Sequence, residues 1–303
     1  HAQTSQKGDF ALGFQQKLSP TSSLKFVAFY REMRDMIQIY RFTGAYPKDY
    51  TSFNNIDFGT VKGLTIQYDL RRTNNARISA YYTLQFANGT GSSTTTAAAL
   101  VASGLPNLRT TFPLAWDRRH SFNVFLDYRY GRGTEYNGPV IRRDKKGKSP
   151  VQVLNNTGLS LTLTGGSGTP YTRSRNIYSQ LSGGTRLLQG TYFGSRLPWQ
   201  FRMDVRIDKD IPLTLGKGDN PKQGNLNIYL SVNNVLNTKN VMQVYPATGN
   251  PDDDGYLAAP EWQREINEQL DPQSFRDLYA IFIDRPWHYS SPRTIRLGLI
   301  FNF

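Results

Sequence analysis

Phe201, Met203, Val205 and Ile207 alternate without a break with Arg202, Asp204, Arg206 and Asp208. A two-residue period is the pleat of a β-strand, in which successive side chains point to opposite faces. One face of this strand is then pure hydrocarbon, and the other carries charges of alternating sign. Such a strand suits a sheet with lipid on one side and water on the other. The charged face reads as a set of ion pairs, Arg202 and Arg206 beside Asp204 and Asp208. A soluble, half-buried sheet would accommodate one copy of this pattern equally well, so its recurrence decides between the two.

The pattern recurs along the whole chain. At the end of the sequence Ile295, Leu297, Leu299, Phe301 and Phe303 alternate with Arg296, Gly298, Ile300 and Asn302. About 9–11 residues cross a bilayer as a tilted strand, which is the length of this stretch. Earlier strands are expected around Phe10–Phe14, Leu24–Ile39, Leu64–Leu70, Ile78–Phe86, Phe122–Tyr130 and Leu159–Leu163, with a bulge near Met33 where the alternation changes phase. Leu226–Val232 begins another, expected to run on to about Tyr245. Arg71-Arg72-Thr73-Asn74-Asn75 between two such runs marks a tight hairpin. The sum is about nine strands whose connections alternate short and long. Turns at 19–23, 71–75, 132–155 and 214–224 would lie on one side of a membrane, and loops near 43–55, 88–116, 166–198 and 247–291 on the other.

Composition narrows the choice. Hydrophobic residues make up 38% of the 303 and aromatics 13%, with a mean hydropathy of −0.53. Strands exposing one face to lipid and one to water need few aliphatic residues. No run of about 18 apolar residues exists, which excludes a transmembrane helix. The absence of cysteine removes disulfides and thiolate metal sites. The net charge of +13 raises nucleic acid as a partner, but the basic residues are spread over polar strand faces and turns. The one dense run, Arg142 to Lys148, reads as a solvated loop. The three histidines show no metalloprotease spacing, and Gly165-Gly166-Ser167-Gly168 lacks the Lys-Ser/Thr end of a phosphate loop, so no catalytic set or cofactor is expected.

Several short motifs carry a family resemblance. Asn54-Asn55-Ile56-Asp57 with Val61-Lys62-Gly63-Leu64, then Tyr82-Thr83-Leu84-Gln85-Phe86-Ala87, Ser167-Gly168-Thr169-Pro170-Tyr171, Val232-Asn233-Asn234-Val235-Leu236-Asn237 and the terminal Phe303 occur in this order across nearly the whole chain. Together they resemble the barrel half of TonB-dependent outer-membrane receptors. The stretch Tyr245–Leu257 is similar to Bacteroidetes Oar-like receptors, which carry a carboxypeptidase-regulatory-like domain. The resemblance implies an all-β, transmembrane antiparallel barrel of the bacterial outer membrane. Residues 1–303 would supply the C-terminal part, about nine strands, of a plugged barrel of 22 strands. Plug domain and N-terminal strands are absent from the sequence. Phe301 and Phe303 resemble the C-terminal signal read by the barrel-assembly machinery.

The expected function is import of a substrate across the outer membrane, with outer-membrane lipid and, through the missing plug, TonB as partners. An alternative is a receptor-like barrel serving as a structural subunit of a surface complex with lipoproteins. On this reading Phe201, Met203, Val205, Ile207, Ile295, Leu297 and Leu299 face lipid, and Arg202, Asp204, Arg206 and Asp208 pair in the lumen. Asp252, Asp253 and Asp254 are a calcium candidate, with a solvated acidic turn as the alternative. Pro260 starts a helical stretch with Trp262, Ile266 and Leu270 at four-residue spacing. Asp271-Pro272 starts a second with Phe275, Leu278 and Tyr279 on one face. Trp262, Ile266, Leu270, Phe275 and Tyr279 therefore form either an extracellular lid or docking surface, or stripes that pack the loop onto its own barrel rim.

Overall fold

A computed structural model describes residues 4–107, 109–141, 151–184, 186–215 and 222–302. Nine long strands pair with their sequence neighbours in one antiparallel sheet: β1 (Gln6–Lys17), β2 (Ser22–Phe42), β3 (Tyr50–Thr73), β4 (Ala76–Gly89), β5 (His120–Arg129), β6 (Thr157–Gly166), β7 (Gln200–Leu215), β8 (Lys222–Asn233) and β9 (Thr294–Asn302). The two-residue strand Phe112–Pro113 adds to β4 at its loop end. Among the described residues, one side of β1 and one side of β9 have no ladder partner. No described helix is long and apolar enough to cross a membrane, a fact that does not bear on strands.

The ladder sorts the side chains. Phe14, Phe26, Ile66, Tyr82, Phe122, Gly165 and Phe201 are successive cross-strand partners. Leu126, Leu161, Val205, Val232 and Ile295 form a second row on the same face. Ile207, Leu230 and Leu297 form a third. This apolar face is open: Leu12 is 81% exposed and Leu297 76%. A soluble monomer rarely carries so large an uncovered apolar surface.

The opposite face carries a network of polar contacts. Ser160 donates to Asp127 at 3.0 Å, and Arg72 pairs with the other oxygen of Asp127. Arg202 pairs with Asp204 at 2.7 Å. The companion pairing of Arg206 with Asp208 does not form. Arg129 on β5 holds both oxygens of Asp208, at 2.8 and 2.9 Å, and reaches Asp210 at 3.3 Å. Arg206 instead lies over the Tyr229 ring, 4.1 Å from its centroid. The reason is a register row that a single strand cannot reveal: Arg129, Gly158, Asp208, Tyr229 and Gly298 are successive partners across five strands. Gly158 leaves the space through which Arg129 crosses β6, since a Cβ there would collide with the guanidinium. Gly298 likewise lies under the Tyr229 ring.

Where the strands differ from expectation, the cause is local. The phase change near Met33 is a bulge, with register shifts between Met33, Met36 and Ile37 and Asp35 at φ 54°. The loop expected at 43–55 is shorter, because β3 begins at Tyr50 and pairs with Phe42. β8 stops at Asn233 and does not continue to Tyr245. Asn234 and Asn237 adopt left-handed φ of 53° and 51°, and the Asn234 side chain accepts from Thr238 N and donates to the Ser291 carbonyl. Asparagine tolerates that conformation better than other side chains do. The basic run 142–148, most of the 214–224 turn and Phe303 lie outside the described residues, while Phe301 is the partner of Leu226 near the end of β9.

Gly158→Ala is expected to push the Arg129 guanidinium off Asp208 and to cost about 1–3 kcal/mol, the usual range for overpacking. The loss should shrink in an Asp208→Asn background, where no ion pair is left to break. Heat-unfolding midpoints of the two single variants and the double variant measure that coupling.

The cross-tied loops as a candidate functional site

Three long connections share one end of the sheet: residues 90–119, 167–199 and 234–293. The first holds α1 (Ala98–Ala102), and the third holds α2 (Gln263–Asn267) and α3 (Pro272–Ile283). The first loop is anchored at the bulge. Gln38 donates to Asp57 at 2.7 Å and to the Ser93 carbonyl at 3.0 Å, and Ile39 N donates to the Thr94 carbonyl at 2.8 Å. Leu114 then covers Val61 and Ala87 on the polar face of the sheet. Asp117, 2% exposed, accepts from Ala87 N and pairs with Arg196, tying the first loop to the second.

The third loop has a core of its own. Tyr245, Tyr256, Ile266, Tyr279 and Ile283 are buried together, with Ile177, Leu257, Trp262 and Phe275 packed against them. α3 is stopped at its start by Asp271, whose carboxylate accepts from Gln273 N and Ser274 N at 3.1 and 3.0 Å. The Ser274 N–H holds the Asp271 carboxyl below the usual carboxylate range. Phe275, Tyr279 and Ile283 recur every four residues on the inner side of α3. Tyr279 joins two loops: its hydroxyl donates to Asp254 at 2.6 Å and accepts from Gln180 N at 2.9 Å. Burial, then the bond to Asp254, pushes this phenol far above its ordinary value. Trp262 Nε1 donates to the Ile177 carbonyl at 3.1 Å, and Ser174 N to the Pro246 carbonyl at 3.0 Å.

Of the five side chains expected on a lid or docking surface, Ile266 and Tyr279 lie inside this core, and Trp262 and Phe275 pack against it. Leu270 is fully exposed, because α2 ends at Asn267, before the four-residue spacing reaches it. Leu278 does not share the face of Phe275 and Tyr279; it is exposed with Ile281 and Phe282 on the outer side of α3.

The three consecutive aspartates do not converge as calcium ligands would. Asp252 accepts from the Tyr289 hydroxyl at 2.6 Å, Asp253 from Gly255 N at 2.8 Å, and Asp254 from Tyr256 N and Tyr279. Among the described residues no group of three or more acidic, histidine or cysteine side chains is placed to hold a metal ion. The aspartates serve as turn and tyrosine acceptors, a role that their spacing alone does not reveal. The seven residues expected on the lipid side, Phe201, Met203, Val205, Ile207, Ile295, Leu297 and Leu299, share the apolar face of the sheet.

Between the second and third loops lies a cleft of about 430 Å³. Its wall includes Tyr178, Arg186, Phe193, Gln243, Tyr245 and Arg285. No periodicity announces these residues, which come from irregular stretches far apart in the chain.

No protein-family model and no curated protein matches this sequence. Solved structures do. The outer membrane transporter YddB from Escherichia coli is similar at 14% identity over 80% of this chain and 30% of its own, with a TM-score of 0.48. FpvA of P. aeruginosa, in a complex with a heterologous pyoverdine and iron, is similar over 98% of this chain and 27% of its own, at 8% identity and a TM-score of 0.51. The FpvAI–pyocin S2 complex gives the same score and identity, with 98% and 26% covered. The fold is that of an outer-membrane barrel transporter. The chain spans about a quarter of the length of the FpvA structures.

Two outcomes follow from the loop geometry. Tyr279→Phe leaves the Asp254 carboxylate and the Gln180 N–H without their partner, at a cost of about 1–3 kcal/mol. Limited proteolysis should then cut residues 167–199 and 247–290 faster while the strands stay protected. Tyr289 is pushed up to about 12, chiefly by its hydrogen bond to Asp252. A phenol raised in the folded state contributes stability that is complete below its unfolded value and is lost as pH rises through the folded one. Loop stability should therefore fall between about pH 10 and 12, and ultraviolet titration of Tyr289→Phe should lack one late-titrating phenol.

Proposed function

We propose that this chain is the C-terminal section of a plugged transmembrane barrel in the bacterial outer membrane, and that the whole protein imports a substrate. The observation that carries the reading is the two-sidedness of the sheet, whose apolar rows run unbroken across strands that bear ion pairs on their other face. The FpvA fold over 98% of the chain supports it. On this reading the apolar face meets lipid, the polar face lines the lumen, and the three cross-tied loops lie outside the cell. A closed barrel of 22 strands requires further strands between β9 and β1, since each unpaired backbone group in hydrocarbon costs several kcal/mol. Coupling to TonB would act through the plug that such receptors carry. The likeness of residues 245–257 to Oar-like receptors supports a Bacteroidetes branch of the family. Phe303 would complete the assembly signal that Phe301 begins.

A second reading, a receptor-like subunit of a surface complex with lipoproteins, is favoured by the outer side of α3. Leu278, Ile281 and Phe282 there, with Leu270 and Trp287 beyond its two ends, are exposed apolar side chains on an otherwise folded loop. Deleting residues 258–282 separates the two readings: loss of substrate uptake supports import, and loss of a co-purifying lipoprotein with uptake absent from the start supports the complex.

The membrane assignment is tested at adjacent residues of β9. Leu299→Arg puts a charge on the apolar face and should cost about 2–4 kcal/mol near the bilayer midplane. Ile300→Arg, on the polar face, should be tolerated. Heat-modifiable gel mobility and outer-membrane yield read the difference, and equal damage from the two would reject the orientation.

A further inference from the structure

The cleft between the second and third loops has features that the fold alone does not require. Its walls are held from several sides: Arg175 N donates to the Leu187 carbonyl at 2.7 Å, Met242 N to the His288 carbonyl at 2.7 Å, and Tyr245 Oη to the Ile283 carbonyl at 2.8 Å. The Tyr279 relay and the Trp262–Ile177 bond lock the two loops behind it. A cavity of about 430 Å³ whose walls are tied by these bonds is of the size that small-molecule sites use.

The lining has a definite chemistry. It contains two guanidiniums, Arg186 and Arg285, and no carboxylate. Each guanidinium lies against an aromatic ring of the same cleft, Arg186 at 5.6 Å from the Tyr178 centroid and Arg285 at 5.4 Å from that of Tyr245. Neither forms a salt bridge among the described residues; Arg285 donates to Gln180 Oε1 at 3.4 Å, and of the carboxylates around Tyr245, Asp252 and Asp254 accept from Tyr289 and Tyr279 while Asp284 adjoins Arg285 in the chain. A stacked guanidinium keeps its planar fork of donors, the geometry that matches a carboxylate. Phe193, Leu197 and Val244 supply apolar wall between them. Tyr178 is only 8% exposed, and its hydroxyl has no hydrogen-bond partner among the described residues. The excess of basic over acidic residues, 36 against 23, favours the approach of anions.

We infer that this cleft binds a small planar organic anion, an aromatic carboxylate, with Arg186 and Arg285 taking the carboxylate and the half-buried Tyr171, Phe193 and Val244 side chains holding the flat apolar body. The inference rests on the import reading only for the step from binding to uptake.

The test is equilibrium binding of 2-naphthoate to the intact outer-membrane protein in detergent, with 2-naphthamide and inorganic phosphate as controls. Saturable one-to-one binding is expected, at least about tenfold tighter than either control, since charge-assisted hydrogen bonds are about twice as strong as neutral ones. Arg186→Gln and Arg285→Gln should each weaken it about tenfold. Arg285 also packs on Phe282 and Trp287, so its loss would disturb the loop as well. Arg186 is exposed, and Arg186→Gln, with part of the affinity kept in Arg186→Lys, is the variant that decides. Absence of saturable binding, equal binding of the amide or of phosphate, or an unchanged affinity in Arg186→Gln would overturn the proposal. None of these outcomes touches the import reading, which another ligand could satisfy. A protein that binds 2-naphthoate while cells accumulate none of it would count against uptake of this class and leave the cleft assignment standing.

Discussion

The antiparallel ladder is the interaction on which the rest of this molecule depends. Seven of the nine long strands, β2 to β8, have a ladder partner on each side over their central residues, where backbone donors and acceptors are satisfied without water. Once the ladder is in register, the side-chain period of two sends every second residue to the same face, and a slip of one residue would exchange the faces. The row from Arg129 through Gly158, Asp208 and Tyr229 to Gly298 shows how closely the polar face depends on that register. Arg129 meets Asp208 only because a glycine occupies the strand between them. A one-residue slip of β6 would put Leu159 or Thr157 under the guanidinium and leave a nearly buried carboxylate without its cation.

The loops obey a different physics. The sheet has almost no buried apolar core of its own; its apolar side chains are outside, on a face that hydrocarbon would cover. The clusters that are buried in the ordinary sense lie at the long-loop end, around Leu114 and around Tyr256 and Tyr279. A core of five buried residues is small for holding a segment of about sixty, so polar ties carry much of the order. The tyrosines suit this arrangement, since each gives a large ring to the core and one hydroxyl to a distant acceptor. Tyr279, Tyr245 and Tyr256 all do so, reaching Asp254, the Ile283 carbonyl and Glu265. The same device that stabilises the third loop fixes the second one against it.

This division explains what could be read from the sequence. The strands were legible because alternation is a local property: Phe201 to Asp208 declares its two faces with no knowledge of its neighbours. The bulge near Met33 was legible for the same reason, as a change of phase. The partner of Asp208 was not, because it depends on the register of β5 and β6 with β7. The end of β8 at Asn233 has no local signal, because Leu236 keeps the phase of Leu226, Ile228, Leu230 and Val232 while Asn234 turns the backbone. Trp262, Ile266, Phe275 and Tyr279 announced two helices correctly in kind, but periodicity cannot say whether an apolar stripe meets its own loop or a partner. The cleft of Arg186 and Arg285 left no local signal at all, since its residues converge from 169–197, 242–246 and 285–288.

The comparison with FpvA carries the same lesson in energetic terms. A sheet that needs only alternation, hydrogen-bonded neighbours and turns places weak demands on residue identity, so 8% identity is compatible with a shared fold over 98% of the chain. A fold so permissive cannot specify a ligand, and function must be argued from a site. The demanding geometry here is in the loops, where single hydroxyls and guanidiniums have specific partners and where the cleft is bordered by bonds between segments up to 105 residues apart, as Gln180 and Arg285 are. Residues under such constraint have few tolerated replacements, whereas Leu, Ile, Val and Phe exchange freely on a face whose only requirement is to be apolar. What distinguishes this protein from others of the same architecture therefore resides in the cross-tied loops.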